Sequence, residues 1–468
     1  MQIVVLGAGV CGLAGAMMLA RDGHAVTVLE RDPEPPPASA DEAWEAWSRA
    51  GVGHFHQPHF VQPGGRATLT DELPDVVAAL VAAGCGLFDH MRFLPPSLAD
   101  HAPRPGDERF VSITARRPVL EQVIARAAQD EPGLDVRRGV AARGLELDGD
   151  HGTPHVTAVR TQAGDVVAAD LVVDAMGRRS PLSGWLRSAG IPPIHEESED
   201  SGFVYHTQYF RATAGPPPQP RAPLLAAFGS FSLLTLPGDG ATWSVTAFIA
   251  GGDQPLKRLC HRECLHAVVA ACPQFAHWLD GEEITGVLTR GGILDRRRRL
   301  AVDGRPPVTG VALVADAWAC TNPSVGRGIS MGLRHAQRLR DVVREHGDDP
   351  AGFAQTWDDV TEAELTPWYR DTVREDRARL REMQAIRDGR LPDPARTEGE
   401  LLREALLAAV PHDPDLFRTF MESRSSIATL ADVLARPGLA EHIRAAAAGR
   451  ERMPLAGPDR GQLLALVG

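Results

Sequence analysis

"VVLGAGVCGLAGAMMLARDGHAVTVLERD", residues 4 to 32, decides how the chain begins to fold. The apolar run at residues 2–6, QIVVL, predicts a buried strand. Residues 11–22 predict a helix, with Leu13, Met17, Leu19 and Ala20 among its apolar positions. Gly23 ends it, and Ala25–Leu29 predict a second strand. Gly7, Gly9 and Gly12 stand in G-x-G-x-x-G spacing at the first strand–helix turn of this βαβ unit. The first glycine of such a turn permits the tight bend, the second lets backbone approach a pyrophosphate, and the third lets helix and strand pack closely. Val10 and Cys11 lie at the helix start, whose free N–H groups and positive dipole end attract phosphates. Glu30, ending the second strand before Arg31, is placed to accept hydrogen bonds from a ribose diol. An acid there repels a 2′-phosphate, so FAD or NAD fits better than NADP. The bland alternative is a glycine-rich turn with no ligand.

Composition narrows the partners. Over 468 residues, 43% hydrophobic and 24% charged content suit an ordinary soluble protein of two or three structural units, and a net charge of −12 argues against nucleic acid or an anionic membrane as main partner. The basic run Arg296–Arg299 reads equally as a solvated face or a ligand contact. Met1 is followed directly by the first strand, which leaves no room for a signal peptide. No run approaches the roughly 18 apolar residues needed to span a bilayer. The six cysteines form neither a C-x-x-C pair nor a disulfide framework, so a reduced cytoplasmic protein is expected. Lys257 is the sole lysine.

Further along, residues 33–68 read as an irregular excursion, 71–86 as helix and 94–106 as proline-rich loop. Residues 112–129 predict a strand end and a helix starting near Pro118, a favourable first-turn proline. Alternating segments follow up to residue 177, with a turn at Ala163–Gly164–Asp165. Residues 203–212, 224–235 and 241–250 alternate again and predict a second, antiparallel sheet; 259–279 read as helix. After Pro350 the chain reads as almost entirely helical, with breaks at Pro392–Pro394, Pro411–Pro414 and Pro437.

Two later stretches choose between FAD and NAD. "ADLVVDAMGRRSPLSGWL", residues 169–186, is a buried strand ending in a polar loop. "VALVADAWACTNPSVGRGISMGLRHA", residues 311–336, is a buried strand, an acid, a Pro-Gly-rich loop and a helix. With the opening motif they give the chain, over about residues 1–345, a pattern that resembles the FAD-dependent monooxygenases of the para-hydroxybenzoate hydroxylase superfamily (group A flavoprotein monooxygenases). The branch it resembles contains polyketide epoxidases and other actinobacterial tailoring oxygenases. The first stretch resembles the family's middle fingerprint through Asp174, Gly177, Arg178 and Ser180, with Met176 in place of the usual acid. In the second, the resemblance puts Asp316 at the ribityl and pyrophosphate region of the flavin, and Pro323, Gly326 and Gly328, followed by Ile329, beside the isoalloxazine; Ala315 replaces a glycine. "TARRPVLE" resembles the family's R-x-x-L helix start, which places Arg117, and less directly Arg116, near the FAD phosphates. Val140, after "RRG", falls where the backbone meets the adenine. "GVGHFHQPHFVQPGG" is similar to a family segment at Gly51, Val52, His59 and its glycines.

The resemblance implies an α/β protein: a Rossmann-like FAD-binding domain of the GR2 type (1–70, 107–190 and 285–345), an antiparallel β-sheet substrate-binding domain (71–106 and 191–284) and a helical C-terminal region (346–468). It implies non-covalent FAD, NAD(P)H as co-substrate, dioxygen, and a small organic substrate that is hydroxylated or epoxidised, in natural-product tailoring. The helix after Ser324 would aim its N-terminus at the ring's pyrimidine edge and favour negative charge there.

His59, Arg327 and Tyr205 are the candidates at the reacting centre. His54, His56 and His59 cluster in H-x-H spacing, but no carboxylate or cysteine nearby completes a metal set, so none is expected; contact of His59 with flavin or substrate, or a polar loop, both fit. Tyr205, Tyr209 and Phe210 alternate on a strand and suit pocket lining or core packing alike. Arg178 and Arg327 suit a ligand contact or a salt bridge alike. The rival functions are a reductase or dehydrogenase of the geranylgeranyl-reductase type, a flavin halogenase and a non-catalytic flavin sensor. A halogenase calls for a catalytic lysine and a W-x-W-x-I-P stretch; here Trp44 and Trp47 are spaced W-x-x-W, and Lys257 falls on an apparent surface helix.

Overall fold

The structure, a computed structural model, describes residues 1–149, 152–200, 202–391, 397–452 and 454–468. The opening motif folds as a βαβ unit: β1 (Gln2–Leu6), α1 (Val10–Arg21) and β2 (Ala25–Glu30). β1 lies at the centre of a five-stranded parallel sheet in the order Val311–Leu313, Leu171–Asp174, β1, β2, Leu134–Arg138. Near-continuous apolar runs form four of these strands because the sheet is covered on both faces, while the edge strand Leu134–Arg138 alternates apolar and charged residues. Ile3, Val5, Val26 and Val28 pack with Leu13 and Met17 of α1, with Leu120 and Ile124 of the helix Arg117–Asp130, and with Leu333 and Val343 of the helix Gly328–His346. Val4, Leu6 and Leu29 face the other way, onto Leu145, Val156 and Val159 of a three-stranded antiparallel sheet. Small residues let α1 meet the helix Gly328–His346 closely: a Cβ on Gly332 would fall 2.4 Å from Cys11 Sγ, and one on Gly15 3.2 Å from Ala336 Cβ. That crossing brings the first and third fingerprints together.

The second sheet has six strands and is antiparallel. Leu225–Phe228, Phe231–Pro237, Thr242–Ala250 and Phe203–Arg211 follow one another, and Glu282–Glu283 and Leu288–Gly291 both pair with the outer edge of Phe203–Arg211. Alternation divides its faces. Phe210, Phe231, Leu233, Trp243, Val245 and Ile249 pack on Leu265 and Val268 of the helix Arg262–Ala270 and on Leu463 and Val467 near the C-terminus. Tyr205, Thr246, Phe248, Ser232 and Leu234 face the other way, into a cavity.

Several local expectations change. Residues 33–68 are not wholly irregular: Ala40–Glu45 is helical, with Ser39 Oγ accepting from Glu42 N, and a further helix starts at Pro63. Residues 71–86 do not form one helix, because Pro74 restarts the chain as Pro74–Ala82 and Gly86–Asp89 is a strand. The segment 224–235 is part of a hairpin that turns at Gly229 (φ +61°). Residues 259–279 hold only Arg262–Ala270 as α-helix. The large sheet reaches past 284 to Gly291, while His195–Asp200 leaves it to pair with Leu294–Arg299. The break expected at Pro411–Pro414 separates Glu398–Ala409 from Pro414–Arg424, and that at Pro437 separates Leu430–Leu434 from Leu439–Ala447; the one at Pro392–Pro394 lies outside the described residues, and a further break falls between Arg424 and Leu430. No helix among the described residues is long and apolar enough to cross a membrane.

Arg297, Arg298 and Arg299 of the basic run are held in ion pairs, while Arg296 acts on the carboxyl of Asp316. The run forms the strand Leu294–Arg299 against the acidic strand His195–Asp200: Arg298 Nε donates to Glu196 Oε2 at 2.8 Å, Arg297 Nε to Glu197 Oε1 at 2.6 Å, and Arg299 binds Asp358.

Candidate active site

A cavity of 2520 Å³ runs through the molecule, lined by Gly7, Gly9, Val10, Cys11, Gly12, Glu30, Arg31, Arg117, Val140, Asp316, Pro323, Gly326, Gly328 and Ile329, and also by His59 and Tyr205. Residues expected at the nucleotide from four separate stretches therefore meet on one surface. Ordinary ligand pockets hold roughly 300–1,000 Å³, so this one has room for a dinucleotide and a second molecule together.

The three glycines differ in what they tolerate. Gly7 has φ +103°, and a Cβ there would lie 2.7 Å from the Ala175 carbonyl oxygen; a Cβ on Gly12 would lie 2.4 Å from Gly7 O. Both are demanded by the protein's own packing. A Cβ on Gly9 would meet nothing within 4 Å. Gly9 caps α1 at the cavity wall, so the space beyond it is a cradle that a side chain would fill and that suits a pyrophosphate.

Glu30 ends β2 buried, its carboxylate held on three sides. Oε2 accepts from Ala8 N at 2.8 Å and from Arg49 NH2 at 2.7 Å, and Oε1 accepts from Asp32 N at 2.9 Å. Arg49 also binds Asp32 and Glu121. Burial works against the Arg49 charge, and Glu121, Glu30 and Asp32 more than offset it. Sequence reasoning missed Arg49, because its three carboxylate partners are spread from position 30 to 121.

Arg117 opens its helix beside Pro118 and donates through Nε to Glu121 Oε1 at 2.7 Å. Its NH1 lies 2.6 Å from His54 Nε2 and 3.1 Å from His59 Nε2. A guanidinium only donates, so both imidazoles accept and are neutral. His59 Nδ1 lies 2.7 Å from the Gln57 carbonyl and donates to it, which fixes the tautomer. Burial, reinforced by Arg117, lowers His59 to about 3 and holds His54 well below its usual range. His59 thus lines the cavity as a holder of Arg117. Arg116 does not line the cavity: it is buried and bound to Asp239 Oδ2 at 2.6 Å.

Asp316 lies just past the strand Val311–Leu313, in the cavity wall. Burial raises its carboxyl, while Arg117, Arg178 and Arg296 pull it back. Ala315, standing where the family has glycine, takes φ +50° and donates its N–H to His335 Nδ1 at 3.2 Å. Asp174 is fully buried and ties its own turn, accepting from Met176 N at 3.0 Å and from the Ser180 hydroxyl; burial pushes it up to about 6. Gly326 turns left-handed (φ +68°), Gln62 Nε2 donates to Val325 O at 2.7 Å, and the helix beginning at Gly328 sets its first residues, Gly328 and Ile329, in the cavity wall.

Tyr205 OH donates to Asn322 Oδ1 at 2.8 Å beneath the same loop. Arg327 corrects the expectation. It is 3% exposed and lines no part of the cavity; it donates to Asp371 Oδ2 at 3.1 Å, to Ser423 O at 3.1 Å and to Glu375, and its guanidinium sits 5.4 Å from the centre of the Trp368 ring. The loop holds the C-terminal helices through Arg327, whose partners lay in a region that offered no motif. Lys257 is exposed on the turn Pro255–Cys260, away from the cavity.

No family profile matches the chain. It is 27% identical over 359 residues to Protein Rv3254 of Mycobacterium tuberculosis, covering 73% of this chain and 72% of that one. Among solved structures it is similar to PqsL, a probable FAD-dependent monooxygenase from Pseudomonas aeruginosa (TM-score 0.58, 16% identity, 83% of this chain and 99% of that one). It is also similar to OxyS, the anhydrotetracycline hydroxylase of Streptomyces rimosus (TM-score 0.54, 20% identity, 91% of this chain and 76% of that one). The chain has the fold of the group A flavoprotein monooxygenases of the para-hydroxybenzoate hydroxylase type.

Proposed function

We propose that the protein is an FAD-dependent monooxygenase that uses NAD(P)H and dioxygen to hydroxylate or epoxidise an organic substrate, in natural-product tailoring. The observation that carries this is the continuity of one cavity from the open cradle at Gly9, past the loop at 323–328, into a chamber between the second sheet and the C-terminal helices. Bound FAD would supply electron transfer and oxygen activation. The chain's own residues supply binding and electrostatics. Gly9 and the start of α1 receive the pyrophosphate with Arg117; Glu30 accepts from the adenosine ribose; Asp316 accepts from the ribityl chain. The N-terminus of the helix Gly328–His346 favours negative charge at the flavin's pyrimidine edge. Phe248, Leu234, Phe417 and Met421 give the chamber apolar walls.

The test is purification and turnover. FAD, released intact on denaturation, should co-purify, and NAD(P)H consumption should rise when a substrate is added. Labelled dioxygen should then leave one labelled atom in the product. Turnover with no label in the product would assign the reductase or dehydrogenase chemistry instead, and flavin without any turnover would assign a sensor.

A further inference from the structure

Acidic side chains outnumber basic ones in this chain, 61 Asp and Glu to 49 Lys and Arg. The run 296–299 reflects that surplus: each of its arginines has a carboxylate partner, the loosest being Arg296 with Glu196 at 3.7 Å. Three arginines in the cavity wall do not follow it. Arg178 and Arg179 stand on the turn Gly177–Arg179 after the strand Leu171–Asp174, and Arg290 stands on the strand Leu288–Gly291, opposite Tyr205 in register. None of the three makes a hydrogen bond or an ion pair with a described residue, and Arg290 Nε is buried without a partner. Gly53 leaves the space that Arg290 takes, since a Cβ there would lie 3.0 Å from its NH2. The charged groups facing Arg290 are Arg178 and Arg179, so burial and both neighbours work against its charge. Arg178 acts on Asp316, a carboxyl it shares with Arg117 and Arg296. Partial burial and like-charge repulsion both cost stability, and no described carboxylate offsets them at Arg290.

The geometry points to a second phosphate site: Arg178, Arg179 and Arg290 receive a phosphate or diphosphate group of a ligand that binds beside the FAD. Planar guanidinium forks match phosphate oxygens two at a time, and here they reach the cavity from both sheets. The site is separate from the cradle at Gly9. Arg117, which serves that cradle, is taken up by Glu121, His54 and His59 and is not among the charged groups facing Arg290. His54 accepts from Arg117 and has Arg178 and Arg290 as further charged neighbours, so the cluster adjoins the cradle across a neutral imidazole. The cavity, at 2520 Å³, has room for both ligands. Two kinds of molecule bring such a group here. One is the nicotinamide co-substrate, for whose diphosphate the chain has no second G-x-G-x-x-G loop. The other is an organic substrate that is itself phosphorylated. The choice of ligand rests on the monooxygenase reading; the anion site does not.

The experiment is calorimetric titration of the FAD-loaded protein with inorganic pyrophosphate, alone and in competition with NADP+ or NAD+, in wild type, Arg290→Gln and Arg179→Gln. Pyrophosphate should bind the wild type. Either substitution should weaken it about ten- to a hundredfold, the loss of one charge-assisted contact, with FAD affinity within twofold of wild type. Both substitutions should also raise the melting temperature of the ligand-free protein, because they relieve repulsion; a lower melting temperature would make the arginines structural and overturn the site. Competition by NADP+ or NAD+ assigns the site to the co-substrate, and pyrophosphate binding that neither disturbs assigns it to a phosphorylated substrate. Wild-type affinity for pyrophosphate in both variants would overturn the proposal. So would pyrophosphate that binds apoprotein and is displaced by FAD, since the arginines would then serve the flavin's own phosphates. If the protein takes up no FAD, the monooxygenase assignment fails, and loss of pyrophosphate binding in the two variants still decides whether the cluster holds phosphate.

Discussion

The two ends of the cavity are built in opposite ways. At the nucleotide end the ligand-facing surface is mostly backbone: three glycines, the first turn of α1 and the first turn of the helix Gly328–His346. At the chamber end it is side chain, drawn from the second sheet, the proline-rich loop around 94–97 and helices beyond residue 366. A backbone site is specified by short-range spacing, since a few glycines and a helix start suffice. A side-chain site is specified by which distant elements happen to pack together.

One buried link joins the two ends, and breaking it should have the largest effect. Arg116, at the start of the helix that carries Arg117, donates from its backbone N–H, Nε and NH2 to Asp239 in the second sheet's hairpin, with both side chains almost fully buried. Asp239→Ala would leave a buried, unpaired guanidinium and should cost about 3–5 kcal/mol, read as a lower denaturation midpoint. An unchanged midpoint would show that the two ends are stabilised independently.

Next comes a contrast within the nucleotide end. Gly9→Val should abolish flavin binding while leaving thermal stability close to wild type, because its side chain enters open space. Gly12→Val should lose flavin and also about 1–3 kcal/mol of stability, because its Cβ meets Gly7 O. Flavin content and melting curves of the two variants separate space reserved for a ligand from space the fold needs. Equal behaviour would erase the distinction.

Asp316→Ala should weaken FAD by about ten- to a hundredfold, the loss of a charge-assisted hydrogen bond of roughly 1.5–3 kcal/mol. Circular dichroism should be unchanged, since Val311, Leu313 and Leu333 provide the local packing. Flavin titration of apoprotein is the measurement, and wild-type affinity would remove Asp316 from the site. The smallest effect should come from Ala315→Gly. A left-handed alanine is strained by roughly 1–2 kcal/mol, and glycine's extra unfolded-state freedom offsets part of the relief. A gain of up to about 1 kcal/mol in chemical denaturation is expected, with flavin affinity within twofold of wild type.

That contrast also marks what could be read from the sequence. The βαβ unit, the strands ending at Asp174 and just before Asp316, and the loop at 323–328 were legible because each is a local pattern whose meaning does not depend on its neighbours. The hairpin 225–237 was not, since both its strands are apolar and only Gly229 marks the turn. Arg327 stayed open between a ligand contact and a salt bridge, because a glycine-flanked arginine in a Pro-Gly-rich loop suits either until Asp371 and Glu375 are seen beneath it.

The position of β1 has a consequence for biosynthesis. The partner of one edge, β2, is complete in the chain by residue 30, while the other edge waits for Leu171–Asp174, and the sheet is finished only by Val311–Leu313. At about 5–20 residues per second, a nascent chain carries an apolar, half-paired central strand for on the order of ten seconds. Such an edge is a template for association with other chains. Recombinant yield should therefore follow translation speed and chaperone supply more closely than the stability of the finished protein, and a lower growth temperature should raise the soluble fraction.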